Sequence, residues 1–540
     1  MGKRQSEKTR QKQDQRPEVR IGESPILRVT LPFLAAFAGI SLVSRIRSNP
    51  EFAQYFYIAA GAMAVWLVVL LWHTLQGRRC LSVEFIPRRS HYVQACVQGF
   101  IFFYWGWYWR PVYDSFPLIL SQLLFAYVFD SLLCWSRRDK WVLGFGPFPI
   151  IFSLNIFLWF KDEWFYLQFV MIAVGFLAKE FIRWQRNGKS THIFNPSAFS
   201  LGLFALLLVA TKSSDLTVGQ QIASTLFMPP QIYVVLFLLG LLAMYFFSTT
   251  LIAAGAAVTL FGLSALYLQM TGVYWFLDSD IPIAVFLGLH LLVTDPATSP
   301  GTLPGKAIFG VLYGILVFTS YEFLASLGVP TFYDKLLPIP LLNLTVPFID
   351  RLVSSRPFER MASRSPLSGL APRTLNLAFM SVWILFFVTM NQTGHAGDTH
   401  RGKQVPFWQQ ACAEGRVNAC RNLVTVEDAY CTSGSAWACG ELGANLLEGK
   451  IVAPDAGRAA RLIAFACQRG RSEACTNSMF AIGGGVGASG FELLRGEPTA
   501  EDYVILLRGG KAPFAPMSQS ELFGMACQQG WETACQKKSS

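Results

Sequence analysis

QYFYIAAGAMAVWLVVLLWHTLQ, residues 54–76, contains no Asp, Glu, Lys or Arg. A helix needs about 20 predominantly apolar residues to cross the hydrocarbon core of a bilayer, so this stretch already names lipid as the solvent. Working outward, similar apolar runs fall at 29–45, 91–109, 115–135, 141–160, 164–184, 194–211, 231–248, 250–270, 281–294, 305–326 and 375–392. LLPIPLLNLTVPFID at 336–350 is short and broken by proline, and either crosses tilted or is re-entrant. The whole 540-residue chain agrees: 52% is hydrophobic and 15% charged, where soluble chains carry about 25% charged residues. Mean hydropathy is +0.37. Such a composition excludes a disordered chain, a soluble enzyme and a nucleic-acid binder, despite a net charge of +11. The expected fold is all-α, a polytopic transmembrane bundle of about 11–13 spans.

Charge is unevenly placed. Residues 1–392 hold 31 Lys+Arg against 20 Asp+Glu, and residues 393–540 hold 14 of each. Residues 1–28 form a basic polar tail, followed by a transmembrane region at 29–350, a basic loop and last helix at 351–392, and a linker at 393–406. Short loops rich in Lys and Arg stay on the cytoplasmic side. With the tail inside and 336–350 crossing, the inner segments carry 24 Lys/Arg and the outer loops six. That arrangement is expected of a multi-pass bacterial inner-membrane protein, with a cytoplasmic N-terminus and residues 407–536 in the periplasm.

Residues 407–536 hold eight of the 11 cysteines, paired at one spacing: Cys412/Cys420, Cys431/Cys439, Cys467/Cys475 and Cys527/Cys535. Three pairs share the frame AC-x2-G-x3-AC, and the second, CTSGSAWAC, keeps the Gly and the later Ala-Cys. Cysteines eight apart cannot meet within one straight helix. A glycine between them reads as helix end, turn and helix start, which a disulfide can staple. Even number and fixed spacing suit an oxidising compartment. Zinc is the rival, but C-x7-C is not a usual zinc spacing and residues 407–540 contain no His. The interval from Cys431 to Cys467 is 36 residues, a helix-pair period. The region resembles the cysteine-rich Sel1-like repeats, relatives of tetratricopeptide repeats, and the expectation is a disulfide-stapled α-solenoid. Such solenoids scaffold, or bind proteins or cell-wall ligands.

Two segments of the membrane region combine a capping side chain with proline. They are HIFNPSAFSLG, with Asn195-Pro196, and LHLLVTDPATSPG, with Asp295-Pro296. Asn or Asp at N-cap with Pro next is a helix-start signal. Within the bilayer it implies a broken helix whose end groups face a protein-lined cavity. Helix N-termini favour phosphate or carboxylate, whereas Asp295 favours a cation. Ordinary loop-to-helix boundaries are the bland alternative.

FNPSAFSLGLFALLL and LLVTDPATSP resemble the FNPA and TDP motifs of the membrane flavin-binding family. That family comprises the D-type membrane subunit of Rnf electron-transport complexes and the B-type membrane subunit of sodium-pumping NADH:quinone reductase. SRRDKWVLGFGPFPIIFSLNIFLWFKDEWFYLQF and TGVYWFLDSDIPIAVFLGLHLLVTDPATSP are similar to its enediyne-biosynthesis, UnbU-like branch. The resemblance implies two similar helical halves, a flavin such as FMN, and membrane-coupled electron transfer within a complex of further subunits. It points to Asn195, Pro196, Ser197, Thr294, Asp295 and Thr298 as cofactor-binding. One departure is plain: the S-G-A-T motif that carries covalent FMN is missing, and the nearest sequence is QQIASTLF with Thr225. A helix-capping Ser/Thr pair is the other reading there. Besides the electron-transport subunit, two functions fit: a small-solute or ion transporter using the broken-helix cavity, and an envelope scaffold acting through the repeats.

Other polar residues have bland readings as well. Asp130 sits in FAYVFDSLLCW and is expected to pair with Arg137 or Arg138; Lys179 and Glu180 are expected to snorkel. His290 reads as an interior histidine, His192 is better placed to bind, and Asp278 and Asp280 read as solvated loop residues. FIFFYWGWYW, ending at Trp109, reads as an interfacial belt. The topology makes a measurable statement. After reduction, a membrane-impermeant thiol reagent added to spheroplasts should label Cys467; labelling only after lysis would reverse the orientation.

Overall fold

In the computed structural model, the described residues are 19–20, 25–76, 82–138, 140–186, 188–226, 229–277, 279–355, 371–396, 400–482, 493–508 and 517–539. Most of the basic tail, Cys80, Asp278, the stretch 356–370 and the glycine-rich run from 483 lie outside them. The chain is helical with little sheet. Short strands occur at Val19–Arg20, Ser82–Phe85 and Lys140–Leu143, and a hairpin pairs Arg183–Arg186 with Lys189–His192. Among the described residues, six helices are long and apolar enough to cross a membrane: Pro50–Thr74, Phe116–Arg137, Thr250–Thr271, Leu303–Ser326, Thr331–Val353 and Pro372–Gln392. Four apolar helices are shorter, at Arg28–Ile40, Pro147–Phe157, Pro196–Ala210 and Ile232–Phe247. The expected spans at 141–160, 194–211 and 281–294 hold shorter helices, the last being Ile283–Leu291. Prolines explain where two of these begin: Pro147 and Pro196 each stand at a first helical position, where no backbone donor is needed.

The chain divides into two compact units. The first comprises residues 1–223, 239–253 and 288–376. Its central helix, Phe116–Arg137, has 78% of its apolar window buried, against 22% for Pro50–Thr74. The latter turns Ile58, Val65, Val68 and Trp72 outward, as a lipid-facing helix should. Where helices touch closely the contact residue is glycine. A Cβ on Gly175 would lie 2.8 Å from Ser200 Oγ, and one on Gly202 would lie 2.7 Å from a Pro340 ring carbon. Uncharged amides join helices across the interior: Gln122 and Asn155 exchange hydrogen bonds of 3.0 and 2.7 Å, and Gln98 Nε2 donates to Ser153 Oγ at 2.8 Å.

The second unit comprises residues 224–238, 254–287 and 377–540. Phe387 stacks on Phe237 at 3.9 Å between ring centroids. Asp280, expected to be solvated, is buried, because the chain after Gln392 folds back onto it: His395 Nδ1 lies 2.7 Å from Asp280 Oδ2. Val273 joins the apolar core formed by Val405, Trp408, Ala411 and Leu423.

The repeat region shows why its frame reads AC-x2-G-x3-AC. The expected pairs Cys412–Cys420, Cys431–Cys439, Cys467–Cys475 and Cys527–Cys535 are all disulfide-bonded, each with a Cα separation of 4.6 Å. Cys420, Cys439, Cys475 and Cys535 are thus cross-link partners, and the zinc alternative falls with them. Each first cysteine lies in the last turn of a helix. The glycine three residues later takes positive φ: Gly415 69°, Gly434 100°, Gly470 86° and Gly530 95°. Its N–H bonds the first cysteine's carbonyl, at 2.9–3.0 Å, and the following N–H reaches back to the residue before that cysteine at 3.0–3.1 Å. This is the Schellman helix end, which favours glycine for its left-handed residue. The alanines preceding the second cysteines (Ala419, Ala438, Ala474 and Ala534) are buried where the paired helices meet. Cross-linking so short a loop contributes about 2–3 kcal/mol per bridge.

Between repeats lies a polar chain in which Glu427, Glu441 and Asn445 are buried: Arg495 bonds Glu441 at 2.6 Å and Asn445 at 2.8 Å, and Asn445 Nδ2 donates to Glu427 at 2.8 Å. Burial, reinforced by neighbouring Glu441, pushes the Glu427 carboxyl up from 4.5 to about 8. A raised carboxyl pKa favours the folded state when protonated. Its contribution is complete below the unfolded value near 4.5 and is lost as pH rises through about 8. Melting of the repeat unit in the full chain should therefore weaken from about pH 5 to about pH 9, and Glu427→Gln should flatten that slope. An unchanged slope in the variant would remove Glu427 as its cause.

Candidate functional site

A helix that stops inside a membrane protein must find internal partners for its end groups. Two short helices do so against each other. The hairpin that pairs Arg183 with His192 delivers the chain to Asn195, which caps the helix Pro196–Ala210 from an extended conformation, φ −60° and ψ 122°. Asn195 Oδ1 accepts from Ser197 N at 3.1 Å, Ala198 N at 3.3 Å and Ser197 Oγ at 2.8 Å. Its main-chain carbonyl accepts Phe199 N at 2.8 Å. The other end of the same side chain, Nδ2, donates 3.1 Å to the carbonyl of Leu292, just beyond the helix Ile283–Leu291. The N-terminal end of one short helix thus abuts the C-terminal end of another, opposite partial charges together.

Asp295-Pro296 does not open a helix. Asp295 Oδ1 accepts from Ala297 N at 3.1 Å and Oδ2 from Thr298 Oγ1 at 2.9 Å, closing a single turn. The next helix begins at Leu303 with Thr302 as its cap. Pro300 accounts for the delay, since it disfavours helical backbone at Ser299. The expectation of two matching helix starts is corrected to one helix start and one capped turn.

Asn343, in the helix Pro338–Val353, ties the motifs together. Its Oδ1 accepts from Asn195 N at 3.2 Å, and its Nδ2 donates to Thr298 O at 3.0 Å. It lies on the buried stripe Ile339, Leu342, Val346 and Ile349, while Leu341, Leu344 and Phe348 of the same helix are exposed. Arg186 adds a second tie, donating to Ser299 O and to Asp350, each at 2.9 Å. Thr294 Oγ1 donates to His290 O at 2.7 Å, and His290 is seated against Gly240, where a Cβ would come within 2.1 Å of the ring.

Asn195, Pro196, Ser197, Thr294, Asp295 and Thr298 therefore come together, all in the first compact unit. Thr225 belongs to the second unit and is buried at the end of the helix Gly219–Thr225. Beside Asp295 is a cavity of about 10 Å³ lined by Gln94, Phe247, His290, Thr294, Asp295 and Pro296. That volume suits about one water molecule. His192 is held below its ordinary pKa by burial, while the nearby Asp295 carboxylate pulls it the other way.

These residues do not fit a flavin. The N–H groups that would take its phosphate are engaged by Asn195 itself, the cavity is far smaller than the roughly 300–1,000 Å³ of organic-ligand pockets, and Thr225 is buried. Among the described residues, no group of three or more His, Cys, Asp and Glu could hold a metal ion. No family model, curated protein or solved structure matches this chain.

Other expectations resolve differently. Asp130 accepts from Trp141 Nε1 at 2.9 Å rather than pairing with Arg137 or Arg138. Arg138 pairs instead with Glu180. Cys96 and Cys134 are free thiols. No sequence motif marks Asn343 or the Gln122–Asn155 pair; an amide inside an apolar helix is the only local sign of them.

Replacing Asn343 with Leu would strip partners from two buried main-chain groups, each costing about 1–3 kcal/mol. Asn343→Leu should therefore lower the thermal stability of the detergent-solubilised chain by about 2–5 kcal/mol. Leu344→Ala, on the exposed face, should lower it far less. Equal losses would deny Asn343 its tying role.

Proposed function

We propose that this chain is an ion-conducting membrane protein, with the Asn195–Asn343–Asp295 junction as its ion site and a proton or sodium-sized cation as its cargo. One observation carries the reading. A carboxylate stands in a capped turn just after the short helix Ile283–Leu291, beside a water-sized polar cavity and within electrostatic reach of His192. Carboxylates within the membrane mark ion and proton pathways, and Asp295 follows directly on the apolar stretch 281–294. Each Asp295 oxygen accepts a hydrogen bond from its own turn, and a carboxylate oxygen can accept more than one. The Thr294 hydroxyl, which lines the same cavity, adds a neutral oxygen of the kind that suits small cations. No step of this proposal passes through a flavin.

The same reading places the basic N-terminal tail in the cytoplasm and the stapled repeats in the periplasm of an inner membrane. What supports it is the distribution of Lys and Arg among loops, together with four disulfides. The repeats then serve as a platform for envelope partners.

Full-length protein reconstituted into liposomes, with a pH-reporting dye inside and an imposed potassium diffusion potential, tests the ion site. A sodium-reporting dye forms the parallel arm. Wild type should conduct one of the two ions, and Asp295→Asn should cut the flux at least about tenfold, as expected for losing one charge-assisted interaction. Flux in the variant equal to wild type, or wild type no different from empty liposomes, would sink the proposal.

A further inference from the structure

The second unit contains a cleft that the ion site does not use. Its volume is about 290 Å³, and its lining includes Leu268, Tyr274, Arg401, Phe407, Gln410 and Arg416. Leu268 belongs to Thr250–Thr271, a helix long and apolar enough to span the membrane. Arg401 belongs to the linker, and Phe407, Gln410 and Arg416 belong to the start of the repeat region. The cleft therefore has an apolar floor at the end of a membrane helix and a cationic wall above it.

That wall is fixed in place. Arg416 Nη1 donates to Gly272 O at 2.7 Å, and its other terminal nitrogen lies 2.5 Å from Glu414. Gly272 has φ +71°, and a Cβ there would come within 2.8 Å of the Arg416 guanidinium, so glycine makes the room. Arg401 lies over the Phe407 ring at 5.7 Å. Tyr274 packs between His400 and Phe407, with ring centroids 4.3 and 5.2 Å away. Glu414 offsets much of Arg416 and also accepts from the Gln410 amide at 2.8 Å, leaving Arg401 as the main positive charge on the cleft.

We infer that this cleft binds a phosphate-bearing anion, with the guanidinium of Arg401 as its recognising group. Planar guanidinium matches phosphate with paired donors, and basic pockets at membrane-helix ends take anionic lipid headgroups. The volume lies at the lower end of the roughly 300–1,000 Å³ of small-ligand pockets. A lipid headgroup and a soluble phosphate share this chemistry, and the apolar Leu268 floor favours the lipid.

Full-length protein in phosphatidylcholine nanodiscs containing phosphatidylglycerol provides the test, with lipid retention read by native mass spectrometry. Phosphatidylglycerol should be retained over phosphatidylcholine. Arg401→Gln should weaken retention at least about tenfold, and Arg469→Gln, whose side chain lies over Phe465, should not change it. Calorimetric titration with inorganic phosphate forms the second arm. Phosphate binding with the same Arg401 dependence, without lipid preference, would keep the site and assign it to a soluble anion. If neither probe binds, or a normally melting Arg401→Gln protein binds as wild type does, the inference is overturned. Asp295→Asn should leave this binding unchanged, so failure here and failure of the ion site are separable.

Discussion

Two hydrogen bonds from one amide hold the membrane region's centre together. Asn343 accepts from the main chain of Asn195 and donates to the main chain at Thr298. Without it, two chain segments that are neither helix nor strand would lose partners where water is scarce. The constraint is general: in lipid every backbone group must be satisfied by protein or by trapped water. Short helices are therefore admissible only in combinations that close their own ends. Asn195 achieves this by capping one helix with its oxygen and serving the end of another with its nitrogen.

That pairing also changes the electrostatic meaning of the site. A lone helix N-terminus attracts anions. Here the neighbouring helix supplies carbonyl density at the same place, and the N–H groups are already engaged. The negative centre that stays conspicuous is Asp295, with polar oxygens around it and room for one small occupant.

Much of the architecture is legible in the amino-acid order. Apolar length gives the membrane, and the C-x7-C frame gives the disulfide pairs, because both depend on local sequence. Convergence of Asn195 with Asp295 is legible as an expectation, since proline beside a capping residue marks a break in a helix. What escapes reading depends on tertiary partners. Asn343 looks like an incidental amide until a third helix brings it between two others. Asp280 looks like a loop acid until the chain beyond Gln392 folds back and sets His395 against it. Asp295-Pro296 carries a helix-start signal, yet Pro300 arrives before a helix can propagate.

The left-handed glycine in each stapled turn has a consequence for biogenesis. Eight cysteines could pair in about 105 ways. A Schellman end requires only its own few residues, so each hairpin can bring its two thiols together before the next pair emerges. Correct pairing is then a matter of emergence order and neighbourhood rather than of sorting among finished chains. The glycines act as the proofreaders of the cross-links, although they form none themselves.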